Sequence, residues 1–283
     1  MSRKQPPDPQ SDPDVPKGMS IALLKDLHLL TRDGQLNADA RRKLKQIRHL
    51  LGLLKPALDD AFTRHPEPKL VDCGAGKSYL GFLLHELVIA PAGRGQLVSI
   101  ESRAELVDAA SARATAFGQA RLQFVRGSIG DAGAAAAGAH VVTALHACDT
   151  ATDDALVLAV ASGAEHLAVV PCCQAEVARQ LAERRPRTPE DEALIAHPLH
   201  RREFGSHLTN VIRGLCLESY GYKVTITELV GWEHSMKNEL ILGRRIRRRD
   251  EASEATLDKL LERWQVQPTL IQKMRAAQPH PHE

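Results

Sequence analysis

The stretch Lys69–Leu84, KLVDCGAGKSYLGFLL, decides the fold of this chain. An apolar run ends in Asp72 and Cys73, the chain turns through Gly74 and Gly76, and a helix-like apolar pattern begins near Ser78. Glycines let a backbone turn tightly and approach a ligand, and the start of a helix offers free N–H groups. Strand, glycine turn and helix in this order predict a turn that cradles a nucleotide or a nucleoside. Gly76, Lys77 and Ser78 also match the end of a P-loop, whose pattern G-x-x-x-x-G-K-[ST] would require a glycine at position 71. Val71 stands there, inside the strand itself, so the triphosphate reading fails. The dinucleotide pattern G-x-G-x-x-G is weakened as well, because Tyr79 occupies the place of its third glycine. What remains is a turn for a nucleoside cofactor.

Outward from this turn, β-like runs alternate with helical stretches: KLVDC, then Tyr79 to Val88; QLVSI, then Ala104 to Phe117; LQFV; HVVTAL, then Ala151 to Ala161; HLAVV. Such alternation predicts a parallel sheet built from βαβ units. Near the end, KVTITELV and NELILGRRI read as two strands whose link, GWEHSMK, is too short for a crossover helix, so they should pair antiparallel. Glu101 closes the second apolar run, where an acid can accept hydrogen bonds from ribose hydroxyls. It stands 27 residues beyond Gly74, farther than the ~20 typical of the dinucleotide pattern. Before the sheet, Leu44, Ile47, Leu51, Leu54 and Leu58 recur at helical spacing between Asp39 and about Phe62. Arg41, Arg42, Lys43, Lys45 and Arg48 give that helix a basic side. The first eighteen residues mix five prolines with charges and read as a disordered tail.

Composition limits the rest. At 283 residues, with 43% hydrophobic and 25% charged, the chain reads as globular, one large domain with extensions. No apolar run reaches the roughly eighteen residues needed to span a bilayer, and the start lacks a signal peptide's apolar core, so a cytoplasmic protein without membrane partners is expected. Cys73, Cys148, Cys172, Cys173 and Cys216 are odd in number and lack C-x-x-C spacing, which favours reduced thiols over disulfides or a zinc knuckle. A net charge of +2 names no partner by itself. Three local basic groups do point to one: the Arg41–Arg48 side; Arg184, Arg185, Arg187, Arg201 and Arg202; and Arg244, Arg245, Arg247, Arg248 and Arg249. They suit the phosphate backbone of RNA. With aromatics at 4%, a base-stacking platform for single strands is not expected, and structured RNA such as tRNA or rRNA fits better.

The D-x-G-x-G turn of Asp72–Gly76, followed by the strand-end acid Glu101, resembles motif I and its partner in class I S-adenosylmethionine-dependent methyltransferases. ALHACDTATDDAL (Ala144–Leu156), VVPCCQAE (Val169–Glu176) and SMKNELIL (Ser235–Leu242) resemble one branch of that family. The branch holds the tRNA acceptor-stem 2′-O-methyltransferases and the methyltransferase-like domain of the glutathione S-transferase C-terminal-domain-containing proteins. The resemblance runs from about Lys69 to Arg245. It implies a Rossmann-like class I methyltransferase fold, α/β with a mainly parallel seven-stranded sheet and an antiparallel last strand, plus an N-terminal helical extension. It implies S-adenosylmethionine as cofactor, held by Asp72, Gly74, Gly76, Tyr79, Glu101, Ser128, Ile129 and His146. Asp149, Lys237 and His146 are the catalytic candidates it implies. The tRNA enzymes carry a cysteine and histidine zinc element whose spacing is missing here, so no metal is expected. The expected division is a tail over 1–18, a helical extension over 19–66, the methyltransferase domain over 67–250, and a C-terminal helix and tail over 251–283.

Each marked residue also has a plainer reading. His146 and Cys148 could cap a strand, Asp153 and Asp154 read best as acids favouring the start of the following helix, and Lys237 beside Asn238 could be solvated. Cys148 and Cys172 occupy the places of the paired cysteines of RNA cytosine-C5 methyltransferases, but buried thiols are often inert, and 2′-O-methylating members of the branch have similar cysteines. The expected function is methyl transfer to RNA, ribose 2′-oxygen ahead of a base nitrogen. The alternatives are a protein or metabolite methyltransferase, or a binding module without turnover.

Overall fold

The computed structural model describes residues 11–145, 150–171, 175–183, 188–229 and 239–277. The chain divides into two compact units, residues 1–126 and 127–283.

The first unit carries α1 (Ile21–Asp26), α2 (Ala38–Arg64), β1 (Lys69–Cys73), α3 (Tyr79–Leu84), a π-helical turn at His85–Ile89, α4 (Ala90–Ala92), β2 (Gln96–Glu101), α5 (Ala104–Ala116) and β3 (Leu122–Arg126). Its strands are parallel, with Cys73 opposite Ile100 and Glu101 opposite Arg126. α2 begins where Asn37 Oδ1 accepts from the Ala40 N–H at 2.8 Å, an N-cap of the usual kind. It buries Ala40, Leu44, Leu50, Leu54, Leu58 and Ala61, while the expected core positions Ile47 and Leu51 are half-buried. The helix expected over Tyr79–Val88 is interrupted: the Ala90 N–H bonds back to His85 O, and Pro91 brings no donor to the ladder.

Residues 11–18 correct the expectation of a disordered tail over 1–18. Val15 is 4% and Met19 1% exposed, and Asp12 and Asp14 both pair with Arg41. The proline-rich composition hides two apolar anchors and two acids that find a cation on α2.

The second unit carries α6 (Gly133–Ala136), β4 (Val141–Ala144), α7 (Thr150–Ala161), β5 (His166–Val169), α8 (Glu176–Glu183), α9 (Pro189–Ile195), α10 (Pro198–Ser219), β6 (Tyr222–Glu228), β7 (Glu239–Arg245), α11 (Glu251–Trp264) and α12 (Thr269–Ala276). The C-terminal region thus holds two helices where one was expected. β4 and β5 are parallel, and β7 lies antiparallel to both β5 and β6. β6 therefore runs in the same sense as β5, and the last strand is inserted between them. The full order is β3-β2-β1-β4-β5-β7-β6, a mainly parallel seven-stranded Rossmann-like sheet with an antiparallel last strand, as the resemblance implies. Among the described residues no helix is long and apolar enough to cross a membrane.

Candidate cofactor site

The glycine turn leaves β1 through two left-handed residues, Gly74 at φ +67° and Gly76 at φ +57°, a region glycine enters without penalty. The turn is pinned by the Ala75 N–H on Ile100 O at 3.0 Å and by the Ser78 N–H on Ala75 O at 2.7 Å. Ser78 is itself left-handed, at φ +54°, and only 1% exposed. Its hydroxyl lies 3.2 Å from that of Ser99 on β2. A P-loop serine faces a nucleotide's metal, whereas this one is spent on the sheet, a second reason against a triphosphate site. The same geometry identifies Gly81, which carries no motif in the sequence. A Cβ there would come within 2.3 Å of Ser78 Oγ and 3.0 Å of Ser99 Oγ, so Gly81 allows α3 to approach β2 closely. The close-packing role of the missing third glycine has moved two residues along, from position 79 to 81.

Glu101, at the carboxyl end of β2, is tied to this turn. One carboxylate oxygen accepts the Gly76 N–H at 2.8 Å, and the other accepts the Arg103 N–H at 3.1 Å and Nε at 2.9 Å. Burial opposes its charge, but the bonds from the Arg103 side chain, the Arg103 N–H and the Gly76 N–H outweigh it and hold the carboxyl at about 2, below its ordinary 4.5. Glu101 is an anion under all physiological conditions. Arg103 belongs to no motif that sequence reasoning could use. Its Nη2 would lie 3.9 Å from a Cβ on Gly76, so the guanidinium covers the turn while its side chain stays 59% exposed.

Asp72 is buried at the end of β1, and Tyr79 opens α3 half-buried. Asp72, Gly74, Gly76, Tyr79 and Glu101 thus lie in the first unit, on the turn or the strand and helix ends that flank it. Ligands of open parallel sheets bind outside the carboxyl ends of the strands, which is where these residues stand. Gly74 and Gly76 could admit the amino-acid part of a nucleoside cofactor, and Glu101 could accept its ribose hydroxyls. Ser128 and Ile129 belong to the second unit. There Ser128 Oγ donates to Asp131 at 2.6 Å and Ile129 is buried. His146, Asp149 and Lys237 lie outside the described residues, as do Asn238, Cys148, Cys172 and Cys173.

Asp153 stands in the first turn of α7, as the plain reading expects, and has a partner that the sequence does not show. It is buried against Arg213, itself 1% exposed on α10, whose Nε donates to it at 2.8 Å. Arg213 Nη1 also donates to Asn210 Oδ1 at 3.1 Å, and Asn210 donates to Glu239 at the start of β7. Asp154 instead pairs with Lys273 of α12. Cys73 and Cys216 are free, and burial pushes both thiols up, Cys216 to about 12, so neither is a thiolate at neutral pH.

The basic groups are largely paired within the chain. Arg42 and Lys43 both contact Asp39, Arg41 contacts Asp12 and Asp14, Arg202 pairs with Glu203, Arg247 with Asp250, and Arg249 with Glu254. Arg184, Arg185 and Arg187 lie outside the described residues.

Residues 42–180 match the model of a methyltransferase domain family. No curated protein sequence matches the chain. Among solved structures, an rRNA methylase from Streptococcus thermophilus is similar at 11% identity and a TM-score of 0.43, covering 69% of this chain and 95% of its own. A methyltransferase from Geobacter sulfurreducens gives 16% and 0.43, covering 82% and 93%. The magnesium protoporphyrin IX methyltransferase of Synechocystis, solved with bound SAH, gives 13% and 0.44, covering 80% and 93%.

Proposed function

We propose that this chain is an S-adenosylmethionine-dependent methyltransferase acting on structured RNA, with a ribose 2′-oxygen preferred over a base nitrogen as acceptor. The observation that carries the cofactor reading is the hold of Glu101 on the glycine turn: a buried acid at the end of β2, ionised at neutral pH and fixed to Gly76 in the turn after β1. The match of residues 42–180 to a methyltransferase domain supports the reaction class. S-adenosylmethionine bound there supplies an electrophilic methyl group on a sulfonium. The chain's share would be placement: Gly74 and Gly76 would let the backbone approach the methionine part, Asp72 would pair with its ammonium, and Glu101 would accept the ribose hydroxyls. In-line positioning provides most of the acceleration for such a transfer. Asp149, His146 or Lys237 would take the proton that the acceptor oxygen loses on methylation.

Support for RNA comes from the arginines of α2 and of the run Arg244–Arg249. Their internal ion pairs favour the second reading, a protein or small-metabolite substrate, because paired cations release less binding energy to phosphate. Incubating the purified protein with radiolabelled methyl donor and extracts of a strain lacking the gene separates the readings. Label in RNA is expected. Label only in protein or in small molecules would move the assignment there, and no label in any fraction would leave a binding module.

A further inference from the structure

The segment Asp12–Asp14 lies along one stripe of α2. Arg41, Lys45 and Arg48 stand at i, i+4 and i+7, the spacing of a single helix face. Arg41 Nη2 donates to Asp12 Oδ2 at 2.8 Å and Nη1 to Asp12 Oδ1 at 3.1 Å, a two-pronged contact of the kind guanidinium makes with carboxylate or phosphate. Its Nη1 also donates to Asp14, and Arg48 Nη1 donates to the Pro13 carbonyl. The Asp12 carboxyl is held below its ordinary value, first by the Arg41 bond, with Lys45 adding its charge. Three successive residues therefore present two carboxylates to Arg41 and a carbonyl to Arg48, with the charge of Lys45 acting on Asp12 between them. Immediately behind them the chain is anchored: Val15 and Met19 are buried, and the Ser20 N–H is held by Glu86 at 2.9 Å. Displacing the acids breaks the Val15 N–H bond to Asp12 O at 3.1 Å and leaves the buried anchors Val15 and Met19 in place.

We propose that Asp12–Asp14 is an internal occupant of an anion-binding stripe on α2, and that the phosphate backbone of RNA competes with it for Arg41, Lys45 and Arg48. This rests on the RNA reading above, and it gives that reading a form of control: the acidic segment lowers affinity for weak or short polyanions and yields to those that offer several phosphates at once. Arg41 keeps 39% of its side chain exposed while Asp12 keeps 26% and Asp14 12%, so a polyanion reaches the guanidinium from the open side, and the several phosphates it offers are what competes with the two partly covered acids.

The test is fluorescence anisotropy with a labelled tRNA-sized stem-loop and, in parallel, labelled heparin. Titrations across salt compare the parent, Asp12→Asn/Asp14→Asn, Arg41→Gln/Lys45→Gln/Arg48→Gln, and the combination of all five changes. The asparagine variant is expected to bind RNA about three- to tenfold more tightly with a salt slope steeper by about one to two, one unit for each additional phosphate neutralised. The glutamine variant should bind more weakly, and adding the asparagines to it should change nothing. If the parent binds RNA and the asparagine variant matches it in affinity and slope, the internal occupant is ruled out and the RNA reading stands. If the asparagines strengthen binding of heparin while RNA stays unbound, the occupant stands and the RNA reading falls. Failure of every variant to bind either polyanion overturns both.

Discussion

Glu101 and Gly76 act as one unit, because the acid accepts the N–H of the glycine whose left-handed backbone makes the turn. On the proposed cofactor reading, Glu101→Ala would remove two charge-assisted bonds to ribose and should weaken S-adenosylmethionine binding by about 1.5–3 kcal/mol, while Glu101→Gln should lose less because it keeps an acceptor for Gly76. Gly76→Val puts a branched side chain at φ +57° beside the Arg103 guanidinium and should abolish binding. Calorimetric titration with circular dichroism as the folding control checks all three. Parental affinity in a folded Gly76→Val would move the pocket elsewhere. Because Glu101 titrates lower in the folded chain than its ordinary value, its contribution to stability is present above pH 4.5 and is lost as pH falls from there toward 2. Acid unfolding of Glu101→Gln, followed by far-ultraviolet dichroism, should lack that portion of the pH dependence. Gly74, Gly76 and Glu101 were legible because each carries its own local requirement, a positive φ or a strand-end charge. Gly81 and Arg103 were not, since what they touch becomes a neighbour only once β2 lies beside β1.

Among the elements, α10 organises the second unit. Gly205 lets it cross α8 so closely that a Cβ there would meet the Ala178 backbone at 2.7 Å. Arg213, one face further along, joins Asp153 of α7 to Asn210 and thereby to Glu239 of β7. Removing one member of a buried ion pair leaves the other uncompensated, so Arg213→Met should cost about 3–5 kcal/mol, and Asp153→Asn combined with it should recover part of the loss. Urea unfolding of the single and double variants measures this, and a cost under about 1 kcal/mol for Arg213→Met would show that water reaches the pair. Periodicity located α2 to within two residues of its ends, because its apolar stripe is continuous. It missed the break after Leu84, since an apolar run reads the same whether its turns are α or π. Asp153 reads as a helix-start acid in the sequence because its partner lies 60 residues away on another element.

For the whole molecule, the arginines that follow β7 are the second place where RNA binding is tested. Arg247→Gln/Arg248→Gln/Arg249→Gln should leave S-adenosylmethionine affinity unchanged, weaken RNA binding, and lower the salt slope by about one unit for each phosphate no longer neutralised. Filter binding across salt reads the outcome, and an unchanged slope would remove this run from the RNA surface. The alternation of short apolar runs with helical stretches, and the lack of room for a crossover between KVTITELV and NELILGRRI, determined a mainly parallel sheet and the antiparallel pairing of those two strands. Those are properties of period and chain length, which act within a few residues and are written locally. The turn at Gly74–Gly76 and the acid at Glu101 were determined in the same way. Only the tertiary structure decided that the last strand is inserted between β5 and β6, and that Arg103 covers the turn. It alone decided, too, that the cations of α2 are met by acids from a segment whose composition reads as a tail. Each of these is a pairing between groups far apart in the chain, and a linear sequence shows the charge or the strand but not the partner that folding brings to it.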